Sequence, residues 1–218
     1  VGSEMCIRDR SIYIQKEGVS HIIPCLRQQV QKKGSEACYY SLSDFIMPAD
    51  TQKTDYIGVF TVTAGKEIEN RIEYYKQQDD NYNALLLQSL SDRIAEAATE
   101  LLHYRVRKEI WGYSPNETAT VENLLKEHYQ GIRPAIGYPS LPDQSLAFDI
   151  DKLLGFVQID VSLTENGAMK PNSTVSGIMI AHPQSAYFHI GQIDMEQRAE
   201  YCKKRNFSIE DSYKWLSV

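Results

Sequence analysis

Residues 79–110 constrain the fold more than any other stretch. Leu87, Leu90, Ile94, Ala97, Leu101 and Tyr104 recur at spacings of three and four, which is the pattern of one helical face. Asp79-Asp80-Asn81 offers a cap and negative charge at one end. Arg105, Arg107 and Lys108 put positive charge at the other, so both ends suit the helix dipole. Trp111-Gly112-Tyr113-Ser114-Pro115 then breaks the pattern. The spacing predicts one long helix with this apolar stripe toward the core. Asp92, Glu96, Glu100 and His103 fall on the opposite face, which reads as solvated. The functional alternative for that face is a carboxylate turned inward toward a cationic ligand.

The flanking sequence is mixed. Ser11–Ile14 leans toward strand, and Gly34 reads as a helix or turn stop for the segment that ends in Leu26–Gly34. Tyr56–Thr63 is rich in β-branched and aromatic residues and predicts a strand ending at Ala64-Gly65. Lys66–Lys76, Thr120–Tyr129, Asp143–Phe156, Glu196–Arg205 and Ser208–Trp215 read as helices, the last capped by Ser208. Val161–Leu163, Ser176–Ile180 and Tyr187–Ile193 read as strands, with His182-Pro183-Gln184-Ser185 turning between the last two. Strands in the first third and near the end, with a long helix between them, define an α+β class in a single domain. Residues 1–10 resemble translated adapter sequence and read as a non-native leader, leaving 11–218 as the domain.

Composition narrows the function. With 23 basic against 29 acidic residues the net charge is −6, which disfavours nucleic acid as a partner. No apolar run has spanning length and no signal peptide is visible, so a soluble, cytoplasmic protein with no membrane partner is expected. Cys6, Cys25, Cys38 and Cys202 form no C-x-x-C pair and read as free thiols in a reducing compartment. No phosphate-binding glycine loop, dinucleotide fingerprint, nucleophile elbow or metal-spaced histidine pair is present. His182 reads as a turn residue.

The remaining signal is Gln130-Gly131-Ile132-Arg133-Pro134-Ala135-Ile136-Gly137-Tyr138-Pro139. Two prolines fix φ and remove backbone donors, so the segment is neither helix nor regular strand. A stiff loop displaying one fork-shaped cation suits a small anionic ligand. Local chemistry alone favours a plain surface connector. Tyr187-Phe188 is an aromatic pair on a predicted strand, where neighbours face opposite ways, so one can line a cleft while the other packs.

Several strings occur together and in order. They include Phe45-Ile46-Met47-Pro48, Asp55-Tyr56-Ile57-Gly58, Asp92-Arg93-Ile94-Ala95-Glu96-Ala97, Leu102-His103-Tyr104-Arg105-Val106-Arg107 and Trp111-Gly112-Tyr113. The Gly131–Pro139 loop, Leu163-Thr164-Glu165-Asn166-Gly167-Ala168-Met169, Val175-Ser176-Gly177 and His182-Pro183 complete the set. From about Leu26 onward the chain resembles the C-terminal activation domain of cobalamin-dependent methionine synthase. The resemblance implies a C-shaped α+β domain with a bent antiparallel sheet, binding S-adenosylmethionine and capping the cobalamin-binding domain. Flavodoxin or a similar one-electron donor reduces cob(II)alamin, and S-adenosylmethionine then supplies the methyl group for methylcobalamin.

By the same resemblance, Arg133 takes the ligand's carboxylate and Ala135 and Gly137 offer backbone contacts near the adenine. Tyr138 lines the methyl-transfer side, and Tyr187 and Phe188 are the paired aromatics of the cleft. Glu96 and Glu127 stand near the amino and sulfonium charges. The family also has an upstream Asp on the ligand's amino group, which nothing before Ser11 matches. The expectation is an N-terminally incomplete domain that binds weakly and has no turnover alone. A separately encoded module docking on a corrinoid protein is the alternative.

Overall fold

The computed structural model describes residues 10–29, 38–51, 53–118 and 120–216. The described part opens with β1 (Ser11–Lys16) and β2 (Val19–Pro24), an antiparallel hairpin in register from Ser11↔Pro24 to Lys16↔Val19. Its two-residue turn, Glu17-Gly18, has positive φ at both positions (51° and 82°), the geometry that matches strand twist. β2 carries no strong strand signal and only the pairing with β1 defines it. The Gly34 stop lies outside the described residues.

Strand β3 (Gly58–Thr63) and helix α1 (Lys66–Gln77) follow as the sequence predicts. Helix α2 (Asn81–Arg105) is the predicted long helix. Asp80 caps it by accepting the Asn83 amide at 3.1 Å. A π turn over Val106–Ile110 ends it, with the Trp111 amide donating to the Val106 carbonyl at 2.9 Å. Helix α3 (Val121–Leu125) is shorter than predicted, and α4 (Leu146–Leu154) carries on through a 3₁₀ turn at Phe156–Ile159. Then come β4 (Ser162–Leu163), β5 (Met169–Lys170), β6 (Thr174–Met179), α5 (Met195–Arg205) and α6 (Ile209–Trp215). Ser208 caps α6 through the Asp211 amide at 3.0 Å.

Every ladder among the described residues is antiparallel, in the pairs β1–β2, β3–β6 and β4–β5. The core gathers Ile12, Ile23, Leu42, Phe156, Ile178, Ile180 and Ile190 with Leu146 and Ile150 of α4, all nearly inaccessible. Cys25 and Cys202 are buried thiols, and burial raises Cys25 to about 12.

Two expectations are corrected. Tyr187–Ile193 is not a ladder strand. The Ile190 amide donates to Pro139 O and its carbonyl accepts from Gln29, so the segment bridges two loops with single bonds instead of pairing with one strand. The second correction concerns which face of α2 is buried. Leu90, Ile94 and Leu101 are exposed, as is Ala97, while Ala84, Ser91, Ala95, Thr99 and His103 are buried. Small side chains let α2 approach the β3–β6 pair closely, and the large apolar residues are left outside. No described helix is long and apolar enough to cross a membrane.

Candidate functional site

The Arg133 loop is sewn to the free edge of β6. Ile132 and Ile180 exchange both backbone hydrogen bonds at 2.9 Å, Ile178 donates to Pro134 O at 3.1 Å, and Ile136 donates to Ser176 O at 2.9 Å. The sequence puts Pro134 where the loop needs only an acceptor. Strand-like alternation then sends Ile132 and Ile136 into the core and turns Arg133 and Ala135 to the other side. The loop can lie this close because β6 presents Gly177. A Cβ there would stand 2.2 Å from Pro134 O.

Arg133 and Ala135 line a cavity of about 320 Å³ together with Glu96, Glu127, Tyr138, Tyr187 and Phe188. Phe60, Thr99 and Val175 complete much of its apolar wall. Gly137 stays out of the lining and donates its amide to Leu141 O at 2.9 Å in the turn that ends the loop. The Tyr187 hydroxyl accepts the Arg133 backbone N–H at 2.9 Å, which fixes the aromatic ring against the loop. Phe188 is buried beside Tyr40 at 6.0 Å between ring centroids. Glu127 sits in the left-handed region (φ 54°), an uncommon setting for a Glu.

The α2 face that reads as solvated turns toward the loop, and Glu96 on it lines the opposite wall. Glu96 accepts the Tyr138 hydroxyl at 2.8 Å, and burial followed by this bond raises the Tyr138 pKa. Asp92 accepts from Ser173 at 2.6 Å and from Gln88 at 2.9 Å. Glu100 pairs with Arg133, Oε2 to Nη2, at 2.7 Å. His103 is fully buried, with Nδ1 3.5 Å from Arg133 Nη1 and Nε2 3.5 Å from the Tyr113 hydroxyl. Burial first, then Arg107 and Arg133, push His103 down to about 2, so it is neutral. For Arg133, burial opposes the charge, but Tyr187, Glu100 and Tyr129 outweigh it and its pKa is raised.

The structure therefore brings seven expected residues to one cavity and sets Gly137 behind it. Sequence reasoning missed the groups behind Arg133. The sequence reading places Glu100 and His103 on the solvated face, gives Arg107 only a helix-dipole role and gives Tyr129 and Glu117 no role in the site. Their spacing carried a signal: positions 96, 100, 103 and 107 share one helical stripe. Chemically, the cavity offers one fixed cation, two carboxylates and aromatic walls. It suits a zwitterionic ligand with an apolar ring. Its tyrosines are held protonated, Tyr187 by burial above all, and His103 behind Arg133 is neutral and sealed, so these groups serve binding and orientation rather than proton transfer.

Fold and site together define an α+β domain with an arginine-walled cavity between a helix and a sheet edge. The chain belongs to the family described as vitamin B12 dependent methionine synthase, activation domain, whose model matches residues 4–206. It is also similar to a solved structure, the MetH reactivation domain bound to AdoHcy. That similarity has 39% sequence identity and a TM-score of 0.83, and covers 91% of this chain and 62% of that one. The chain thus spans 62% of the length of that relative.

Proposed function

We propose that this chain binds S-adenosylmethionine and serves the reactivation of cobalamin in a cobalamin-dependent methionine synthase. One observation carries the reading. Arg133, Ala135, Tyr138, Tyr187, Phe188, Glu96 and Glu127, each assigned by motif, line a single cavity. The AdoHcy held by the similar MetH reactivation domain is the product of methyl transfer from this ligand.

In this reading Arg133 takes the ligand's carboxylate through a charge-assisted pair. Glu96 and Glu127 face its ammonium and sulfonium charges, and Tyr187, Phe188 and Phe60 cover its apolar surface. Ala135 lets the adenine approach the backbone, and Gly137 holds the turn behind it. Tyr138 stands half-exposed at the mouth, on the side from which the methyl group leaves. Cobalamin, which the cobalamin-binding domain would hold, would supply the nucleophile for this methyl group. The sulfonium is already activated, so the chain's residues contribute alignment and exclusion of water rather than acid–base chemistry. A flavodoxin-like donor supplies the single electron from outside.

Calorimetric titration of AdoHcy into the wild-type chain and Arg133→Ala tests the reading. Removing the cation should weaken binding by about thirtyfold or more, the loss of roughly 2 kcal/mol or more expected for a buried charged partner. Equal affinities would refute it.

A further inference from the structure

The five nitrogen-bound hydrogens of Arg133 are not all offered to the cavity. Nη1 donates to the Tyr129 hydroxyl at 3.0 Å, and Nη2 meets Glu100 Oε2 at 2.7 Å. Each terminal nitrogen is therefore held from behind by a side chain, and neither Tyr129 nor Glu100 lines the cavity. Nε donates no hydrogen bond to the described residues.

Both holding groups are themselves held. Arg107 is completely buried and lies 3.9 Å over the Tyr129 ring. Its Nε and Nη2 donate to the two Glu117 oxygens at 2.7 Å each, a bidentate pair. Its Nη1 points to Glu100 Oε1 at 3.9 Å, and neither of those two atoms has a hydrogen bond. The His103 ring meets Tyr129 edge-on at 5.4 Å. Being neutral, His103 adds no repulsion beside the two guanidinium groups.

Two arginines and two glutamates make this cluster formally neutral. It offers the ligand direction rather than net charge. A long arginine side chain loses much rotamer freedom when it grips a ligand, and a grip prepared in advance avoids that loss at binding. The π turn at Val106–Ile110 matters here, because it carries Arg107 inward at the end of α2 under the Tyr129 ring.

We propose that Tyr129 and Glu100 are positioning residues that aim Arg133 at the ligand's carboxylate, and so make the cavity selective for adenosyl amino acids over adenosyl thioethers that lack the amino-acid end. The inference rests on the adenosyl-ligand reading of the cavity given above.

The test uses two substitutions that leave the cluster's charge unchanged. Tyr129→Phe removes only the hydroxyl. Glu100→Asp keeps the carboxylate and shortens its reach. Each is titrated with AdoHcy and with 5′-methylthioadenosine, which has the same adenosyl thioether and no carboxylate. Each variant should weaken AdoHcy about fivefold to tenfold and leave methylthioadenosine within twofold of wild type. Glu100→Gln, which retains an acceptor, should recover part of the AdoHcy loss seen in Glu100→Asp.

Equal loss of both ligands would mean a merely structural role and overturn the inference, as would unchanged or tighter AdoHcy binding in both variants. Because Tyr129→Phe is nearly isosteric, it carries the test if Glu100→Asp does not fold. Should the wild-type chain bind neither ligand, the functional reading itself falls, and this inference with it.

Discussion

Gly177→Ala should both destabilise the protein and displace its site. The new Cβ would sit 2.2 Å from Pro134 O, 2.8 Å from Ala135 Cα and 3.0 Å from Pro134 C. All three are backbone atoms, so no rotamer change relieves the overlap. The loop has to lift from β6. Lifting sacrifices the Ile178-to-Pro134 bond (3.1 Å) and disturbs the Ile136-to-Ser176 bond (2.9 Å). Two backbone hydrogen bonds contribute roughly 2 kcal/mol, and residual overpacking costs about 2 kcal/mol more. The total of about 4 kcal/mol corresponds to a fall in Tm of roughly 10 °C for a domain of this size. Arg133 precedes Pro134 directly, so AdoHcy affinity should fall together with Tm. Calorimetric melting and AdoHcy titration of the same sample measure both. Gly18→Ala is the control: nothing lies within 4 Å of its Cβ, and φ is +82°. Its cost should stay near 1–2 kcal/mol, the strain of a left-handed alanine, with affinity unchanged. A Gly177→Ala protein that melts within about 2 °C of wild type and binds AdoHcy normally would refute the reasoning.

Acid should destabilise the fold through His103. Its folded pKa is depressed to about 2 by burial and by Arg107 and Arg133, whereas an unfolded histidine titrates near 6.5. Below pH ~6.5 the unfolded chain takes up a proton that the folded chain refuses, so this contribution is present above that pH and is lost as pH falls. Urea unfolding at pH 7.0 and 5.5 should differ by about 1 kcal/mol from this group, a difference that His103→Gln removes. On the outer face of α2, Leu90→Gln should change stability by less than about 0.5 kcal/mol in urea melts, because Leu90 is 53% exposed. A loss of 2 kcal/mol or more there would mean that the apolar stripe packs after all.

The residues themselves carried much of the fold. The β-branched run before Ala64-Gly65, the long helix with its Asp80 cap and the final helix capped by Ser208 are local effects, written in neighbouring residues, and they stand where the sequence puts them. Helix periodicity gives two faces but does not say which one meets the sheet. On α2 it pointed to Leu90, Ile94 and Leu101, because apolar size is the usual sign of burial. The sheet instead required close approach, which Ala95 and Thr99 permit and leucines do not. The same reversal turned Glu96 from a solvated face into the cavity wall and set Glu100 and His103 behind Arg133. The Arg133 loop shows the divide most clearly. Its prolines and the motifs around it marked it in the sequence as stiff and ligand-bearing. Only tertiary structure seats it on Gly177, closes the cavity against α2 and sets Glu100 and His103 behind the guanidinium, because residues 30 positions or more apart in the chain meet there. Sequence determined which chemistry was available. Packing decided which way it points.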